Sequence, residues 1–190
     1  MLKISYEQFQ EDTFQLAKKI EKQLDLSRVD LVSISRGGLF VGGLLSYLLD
    51  LKRNRVICLE SYQSNHTGAN PFMKEILDLD QNLDPSRIYL FVDDVNDTGQ
   101  TCEYVKDKMK HKGLETYFAS VYNKIHTKTA PDFFGRELLG DAWIEFPWDK
   151  AVEDFKTNSL VQEEFSVGLL ELGLDQVLED DSYNLTLQKK

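Results

Sequence analysis

Residues 92–101 read Val-Asp-Asp-Val-Asn-Asp-Thr-Gly-Gln-Thr, and this stretch decides the fold. It continues the apolar run Ile-Tyr-Leu-Phe-Val at 88–92, and residues 101–112 after it have the pattern of a helix. A short run almost free of polar residues is typical of a strand buried on both faces of a parallel sheet. Ligands of open parallel sheets bind beyond the carboxyl ends of the strands. The acidic and hydroxyl residues of this stretch are therefore expected at a binding edge.

The rest of the chain alternates between strand and helix patterns. A second apolar run at 29–34 ends in Ser-Arg-Gly-Gly, and the apolar residues 39–49 after it predict a buried helix. Residues 60–82 are polar and contain glycine, proline and asparagine, which predicts a long, irregular and mobile segment. Three further elements are predicted: an amphipathic helix at 6–24 and strands at 55–59 and 116–122. The expected fold class is α/β, with a largely parallel central sheet flanked by helices.

The charge of the chain is unevenly distributed. The 190 residues have a formal net charge of −10, and residues 151–190 alone carry nine acidic against three basic side chains. We therefore expect a main domain at 1–150 and an acidic, helical C-terminal extension at 151–190. The acidity disfavours nucleic acid as a partner. We expect no membrane span and no secretion signal, and hence a cytoplasmic protein.

The residue types at 93–101 suit a sugar phosphate. A turn into a helix offers free backbone N–H groups, and Thr98 and Thr101 add hydroxyl donors, which together suit a phosphate. The carboxylates of Asp93 and Asp94 repel phosphate but suit sugar hydroxyls or Mg²⁺. The sequence therefore predicts a ribose 5-phosphate site. A purely structural alternative, in which these acids cap the helix, accounts for Asp97 but leaves the other two without a role.

A second anion site is predicted at Ser35-Arg36-Gly37-Gly38. The two glycines allow the backbone to approach an anion closely, and Arg36 adds a charge with bidentate geometry. The alternative is that this segment is only a tight turn. It matches neither the P-loop pattern nor the Gly-x-Gly-x-x-Gly pattern. Beside a ribose phosphate site, it becomes a candidate pyrophosphate loop.

These stretches carry a resemblance to a known family. Residues 92–101 closely resemble the phosphoribosyl-pyrophosphate motif of type I phosphoribosyltransferases, and 35–38 resemble the pyrophosphate loop of that family. Residues 141–149, Asp-Ala-Trp-Ile-Glu-Phe-Pro-Trp-Asp, are similar to the base-binding end of bacterial xanthine–guanine phosphoribosyltransferases. The resemblance covers about residues 3–150. It implies the type I phosphoribosyltransferase fold, with a small hood region, and an enzyme of purine salvage.

The resemblance also implies residue roles. Asp97 is the implied catalytic general base, and Asp94 the implied metal contact for the Mg²⁺ cofactor. The implied ribose and 5-phosphate ligands are Asp93, Asp94, Asp97, Thr98, Gly99, Gln100 and Thr101. The implied pyrophosphate ligands are Ser35, Arg36 and Gly37, in a loop where the family often has a cis, non-proline peptide. Gln100 departs from the small residue that is common in the family.

The purine site is implied by the same resemblance. Lys124 would donate to the purine 6-oxygen, Trp143 would stack on the ring, and the carbonyl of Ile144 would meet the 2-position. The residue types agree with a flat ring that has polar edges. Ordinary alternatives are a core role for Trp143 and a solvated strand-end role for Lys124, with Lys128 as its rival.

The implied reaction transfers a phosphoribosyl group from phosphoribosyl pyrophosphate to guanine, xanthine or hypoxanthine. The alternative is a non-catalytic sensor of the sugar diphosphate or of a nucleotide that uses the acidic tail to bind a protein partner. Relatives in the family are usually dimers or tetramers, so a homo-oligomer is expected by analogy.

Overall fold

The computed structural model describes residues 1–62, 72–75 and 83–157. The strands in these ranges are β1 (Leu2–Lys3), β2 (Val29–Ser35), β3 (Asn54–Tyr62), β4 (Phe72–Glu75), β5 (Ile88–Asn96), β6 (Glu115–Lys124), β7 (Phe133–Leu138) and β8 (Ile144–Glu145). The α-helices are α1 (Tyr6–Gln23), α2 (Gly37–Leu48), α3 (Gln100–His111) and α4 (Pro147–Thr157). No helix in these ranges is both long and apolar enough to cross a membrane.

The chain divides into two compact units, which are described separately. The larger unit is Ser5–Trp143, and the smaller one joins Met1–Ile4 to the chain from Ile144 onward. In the smaller unit β1 pairs in parallel with β8, and the ring of Phe146 stacks on that of Trp148 at 4.6 Å. This stacking gives Trp148 a packing role within the smaller unit. The division at residue 150 stays a prediction, and the helices expected beyond 157 lie outside the described residues.

The larger unit is built on a six-stranded sheet in the order β4-β3-β2-β5-β6-β7. All neighbouring strands run parallel except β3 and β4. The fold class expected from sequence is therefore confirmed. Strands β2 and β5 are direct neighbours, with Ser33 opposite Val92, so the two predicted anion loops leave the same edge of the sheet side by side.

The sheet is covered by helices on both faces. Val32, Tyr89 and Phe91 pack in one cluster with Cys102 and Met109 of α3. On the strands these residues alternate with others that point to the opposite face, where α2 packs on β2 and β5. Gly42 makes the close approach of α2 possible, because a Cβ atom there would overlap the hydroxyl of Ser33. Helix α1 packs against β6 and β7.

Three predictions about the elements need correction. Strand β7 was not expected from its sequence. The segment 60–82 is not irregular throughout, because β4 pairs antiparallel with the end of β3 at residues 59–62. Helix α2 is only half-buried: Val41 and Leu45 are buried, but Phe40 is 46% and Tyr47 90% exposed. The apolar residues of α2 surround the whole helix, whereas a sheet covers only one side of it.

Candidate active site

The two predicted anion loops meet at the carboxyl ends of β2 and β5. A Cβ atom at Gly37 would overlap the carboxylate of Asp94, and one at Gly38 would overlap the carbonyl oxygen of Val92. Only glycine fits at these two positions, because the loop lies directly on the acidic strand end. The structure therefore brings together two motifs that lie more than fifty residues apart in sequence.

The loop after β2 presents a helix start. The Ser35–Arg36 peptide is cis, as the resemblance implies, and Arg36 is exposed. Arg36 is the N-cap of α2, and its side chain makes no capping hydrogen bond to the described helix. The first N–H groups of α2 and the positive end of its dipole thus lie next to Asp94. An anion bridged to a cation suits this place, because the helix start attracts the anion and the carboxylate attracts the cation.

Asp93 and Asp94 form a pair of adjacent, half-buried carboxyls within β5. Burial and the neighbouring charge of Asp94 raise the pKa of Asp93 well above its usual range. The backbone N–H groups of Asp94 and Gly38 donate to Asp93 and oppose this shift in part. Without a ligand the strand end is thus an unfavourable place for two negative charges, and a hydroxyl donor or a cation would relieve it.

Residues 97–99 form a turn that leads directly into α3, as the sequence predicts. Gly99 has φ +85° and is the N-cap of α3, and a Cβ atom there would lie 2.7 Å from the backbone nitrogen of Thr129. The motif is nevertheless strand rather than turn as far as Asn96, whose amide donates to Asn123 Oδ1 at 3.0 Å. Sequence reasoning gave Asn96 no role, although it ties this turn to the end of β6.

Asp97 does not cap α3. Its Oδ1 lies 2.8 Å from the Nζ of Lys124, whose side chain is 6% exposed. The capping explanation of Asp97 and the solvated-end explanation of Lys124 are therefore both wrong. Lys128, the rival of Lys124, is exposed in the turn after β6, and its backbone N–H donates to the carbonyl of Thr98 at 3.2 Å.

The aromatic segment after β7 divides between the two units. Trp143 is 72% exposed and ends the larger unit, so it is not a core anchor and its ring is accessible. Ile144 begins the smaller unit, where it pairs with Leu2. Sequence reasoning missed His126 and Asp141 altogether. The ring of His126 lies between Asp97, at 3.6 Å, and Asp141, at 2.8 Å.

The described residues contain no group of three or more His, Cys, Asp or Glu side chains able to hold a metal ion. Asp93 and Asp94 do supply carboxylate oxygens, the type of ligand that Mg²⁺ prefers. Mg²⁺ is commonly held by only one or two carboxylates together with phosphate oxygens of the substrate. The pair therefore fits a Mg²⁺ ion that binds together with a diphosphate.

A parallel sheet with two helix-start loops and an acidic strand end at one edge is typical of enzymes that bind phosphorylated sugars and nucleotides. Residues 5–154 match the family model described as phosphoribosyl transferase domain. This chain belongs to that family of enzymes.

Relatives narrow the family further. The chain is 34% identical over 122 residues to a xanthine-guanine phosphoribosyltransferase from Chromohalobacter salexigens, covering 64% of this chain and 69% of the relative. It is 32% identical over 124 residues to a protein of the same name from Nitratidesulfovibrio vulgaris, covering 65% of this chain and 70% of the relative.

Solved structures agree with these relatives. The xanthine-guanine-hypoxanthine phosphoribosyltransferase of Helicobacter pylori is 28% identical with a TM-score of 0.65, covering 82% of this chain and 98% of the other. The purine phosphoribosyltransferase of Pyrococcus horikoshii is 27% identical with the same TM-score, covering 78% and 93%.

Proposed function

We propose that this enzyme transfers the 5-phosphoribosyl group from phosphoribosyl pyrophosphate to a 6-oxopurine. The products are the purine nucleoside monophosphate and pyrophosphate, and the role is purine salvage. The observation that carries the proposal is the buried Lys124 beside Asp97, at the strand edge where the carboxyl pair and both loops meet. The names of the relatives support the same class of substrate.

The sugar diphosphate binds at the acidic strand ends and the two loops beside them. Asp93 and Asp94 accept hydrogen bonds from the ribose hydroxyls, and the start of α3 binds the 5-phosphate through Thr98, Gly99, Gln100 and Thr101. Ser35, Arg36 and Gly37 bind the pyrophosphate. The position of Gly37 against the Asp94 carboxylate supports this arrangement, because it places the loop and the acidic pair close enough to share one diphosphate.

Mg²⁺ belongs to this proposal as the partner of the diphosphate. Asp94 and Asp93 would hold it together with substrate oxygens, and when bound it neutralises the charge that develops on the departing pyrophosphate. The raised pKa of Asp93 supports this role, because a cation next to the pair offsets the repulsion that raises it.

The purine binds at the end of the site where Lys124 lies. Lys124 donates to the 6-oxygen, and the accessible ring of Trp143 stacks on the base. The contact of the Ile144 carbonyl with the 2-position stays a prediction from the resemblance. Burial strengthens the selection at the 6-position, because a lysine shielded from water favours an oxygen acceptor there and disfavours a second donor group. Adenine, which presents a donor at that position, is disfavoured.

The chemical step is a substitution at C1 of the ribose. The bond to pyrophosphate breaks, and a ring nitrogen of the purine forms the new bond, so positioning of the two substrates supplies much of the rate. Asp97 accepts the proton that the purine ring loses, a contribution of about 10²–10⁴-fold for a well-placed base. The ammonium group of Lys124 is the counter-charge of the Asp97 carboxylate, the proposed general base.

The proposal includes a cytoplasmic homo-oligomer, dimeric or tetrameric, with no nucleic-acid partner. The exposed apolar residues of α2 support a contact between copies: Leu39, Phe40, Tyr47 and Leu48. Light scattering on the purified chain should give a mass at least twice that of the monomer. Phe40→Ser with Tyr47→Ser should lower that mass, whereas an unchanged mass would place the interface elsewhere.

The experiment that tests the function is steady-state turnover with phosphoribosyl pyrophosphate and Mg²⁺. Guanine, xanthine, hypoxanthine, adenine and uracil are offered separately. Turnover is expected with at least one 6-oxopurine and not with adenine or uracil. Tight binding of the sugar diphosphate without turnover of any base would replace the enzyme with a sensor.

A further inference from the structure

His126 joins two carboxylates at the base-binding end of the site. It lies in the turn after β6, two residues beyond Lys124. Its Nδ1 is 2.8 Å from Oδ1 of Asp141, which is hydrogen-bond distance, and its Nε2 is 3.6 Å from Oδ1 of Asp97. Neither His126 nor Asp141 has a role in the function proposed above.

The contact with Asp141 fixes which ring nitrogen carries a proton. An ionised carboxylate only accepts hydrogen bonds, so Asp141 selects the forms of His126 that have a proton on Nδ1. In the neutral form of that kind, Nε2 presents its lone pair to Asp97. Two acceptors then face each other at a distance longer than a hydrogen bond, and a proton placed between them turns the contact into a favourable one.

The charges around the ring allow it to hold that proton. Asp97 faces it from the turn after β5 and Asp141 from the segment after β7. Lys124, at the end of β6, shares the same oxygen of Asp97 and is the opposing charge. Each ring nitrogen of His126 thus faces a carboxylate oxygen, which is an acceptor for an N–H bond on that side.

The ring also connects the site with solvent. The Lys124 side chain is 6% exposed, that of Asp97 48%, that of His126 39% and that of Asp141 85%. Lys124, which would meet the base, is buried, Asp97 and His126 are both partly exposed, and Asp141 is the most exposed of the four. A proton that reaches His126 can therefore pass to water without crossing the ribose or the pyrophosphate.

We propose that His126, held by Asp141, is a positioning residue that takes the purine proton from Asp97 and passes it to solvent. This inference rests on the proposed function, because it needs Asp97 as the base. The ring N–H bond of the purine breaks, its electron pair stays on nitrogen for the attack on C1, and an O–H bond forms on Asp97. That O–H bond then breaks as Nε2–H forms on His126. Last, the Nε2–H bond breaks as water accepts the proton, which restores the neutral ring with its proton on Nδ1.

Three substitutions separate proton transfer from simple hydrogen bonding. His126→Asn keeps a donor near the place of Nδ1 but has no atom in the place of Nε2. His126→Gln can put an amide donor in the place of Nε2 but cannot carry a proton away. His126→Ala leaves space at a partly exposed position that added imidazole can enter. His111→Gln is the matched control, because His111 hydrogen-bonds within its own helix to the carbonyl of Asp107.

The measurements are the rate of the first turnover and the steady-state kcat and KM for purine and for phosphoribosyl pyrophosphate. Wild-type turnover in the same assay tests the proposed function separately. We expect each of the three variants to lose about tenfold in kcat with KM for the sugar diphosphate unchanged, while the first turnover keeps the wild-type rate, because Asp97 accepts that first proton without His126. Imidazole should restore the rate of His126→Ala and leave His126→Asn slow.

Two results would overturn the proposal while leaving the enzyme's function intact. A His126→Gln variant with the wild-type kcat would show that a hydrogen bond to Asp97 suffices. Absence of imidazole rescue, with a raised KM for both substrates, would show that His126 only supports the packing of the turn.

Discussion

Acidic side chains at the two ends of the central strands have pKa values shifted in opposite directions. At the amino end, Asp30 of β2 is fully buried and accepts from the Nε atoms of Arg53 at 2.7 Å and Arg87 at 2.8 Å, with Arg55 at 3.3 Å. Burial by itself raises the pKa of Asp30, but the hydrogen bonds and charges of Arg53 and Arg87 outweigh it and hold the pKa below its usual range.

At the carboxyl end the balance is reversed. Burial and the charge of Asp94 raise the pKa of Asp93, and the hydrogen bond from Gly38 does not compensate. At the amino end the buried acid therefore has its compensating partners within the folded chain. At the carboxyl end the acidic pair gains stability only when a hydroxyl donor or a cation binds. The acid that stabilises the fold and the acids that bind the ligand are separated by the length of the strands.

The largest effect is expected at the functional end. Asp97→Asn removes the proton acceptor but keeps the size of the side chain and an oxygen for Lys124, so kcat should fall about 10²–10⁴-fold. Affinity for phosphoribosyl pyrophosphate should change little. Steady-state kinetics and calorimetric titration check the two quantities. Asp107→Asn, at an exposed position of α3, is the control, and an undiminished kcat for Asp97→Asn would remove the base role.

The next effect tests how closely the loop lies on the acidic strand end. In Gly37→Ala the new methyl group overlaps the Asp94 carboxylate, so the carboxylate or the loop must move. Displacement of reacting groups by about 1 Å costs on the order of 10²-fold, so kcat/KM for the sugar diphosphate should fall by about that factor.

Gly43→Ala is the matched control for this loop. It lies on the same helix, and a Cβ atom there meets nothing within 4 Å. Its activity should stay at the wild-type level, and its stability should rise by about 0.5–1 kcal/mol from helix propensity. Equal activities for Gly37→Ala and Gly43→Ala would show that the loop and Asp94 do not depend on each other.

At the amino end the expected loss is in stability rather than in activity. Asp30→Asn leaves three guanidinium groups without their shared anion and should lower the free energy of unfolding by about 2–4 kcal/mol at neutral pH. Because the pKa of Asp30 is lowered by folding, its stabilising contribution is present above the unfolded pKa and disappears as the pH falls through the folded one. The difference should shrink below about pH 4.

Urea denaturation at several pH values measures this contribution. Asp50→Asn is the control, because its ion pair with Lys52 is exposed on both sides and such pairs contribute about 0–1 kcal/mol. The folded fraction of Asp30→Asn should keep wild-type kcat. A lost kcat with unchanged stability would contradict the separation of the two ends.

The smallest expected effect is a gain in the free energy of unfolding rather than a loss. Asp93→Asn removes a carboxyl whose pKa folding raises, so without Mg²⁺ or substrate it should stabilise the protein by about 0.5–2 kcal/mol at neutral pH. The wild-type chain loses stability as the pH rises from the unfolded pKa through the raised one, so the advantage of asparagine should grow over that range. Urea denaturation in the presence of a chelator checks this. A destabilised Asp93→Asn would mean that the acidic pair supports the fold.

Much of the fold follows from local pattern. The apolar runs that became β2 and β5 have no other stable environment than a sheet buried on both faces, and Gly99 marks the start of α3 because its φ of +85° is costly for other residues. Strand β7 was missed because its sequence does not alternate between apolar and polar residues. Its burial accordingly alternates only weakly, from buried Phe133 to exposed Arg136 and Glu137. Its place beside β6 comes from tertiary pairing rather than from propensity.

The sequence by itself determined the α/β class, the family and the two anion loops, because these depend on residues that are contiguous in the chain. Only the tertiary structure decided which side chains share a charge. Lys124 joined Asp97, His126 came between Asp97 and Asp141, and Asp30 collected three arginines across separate strands. The physical reason is that burial and electrostatic energy depend on distances in space, and parallel strands bring together residues that are far apart in sequence.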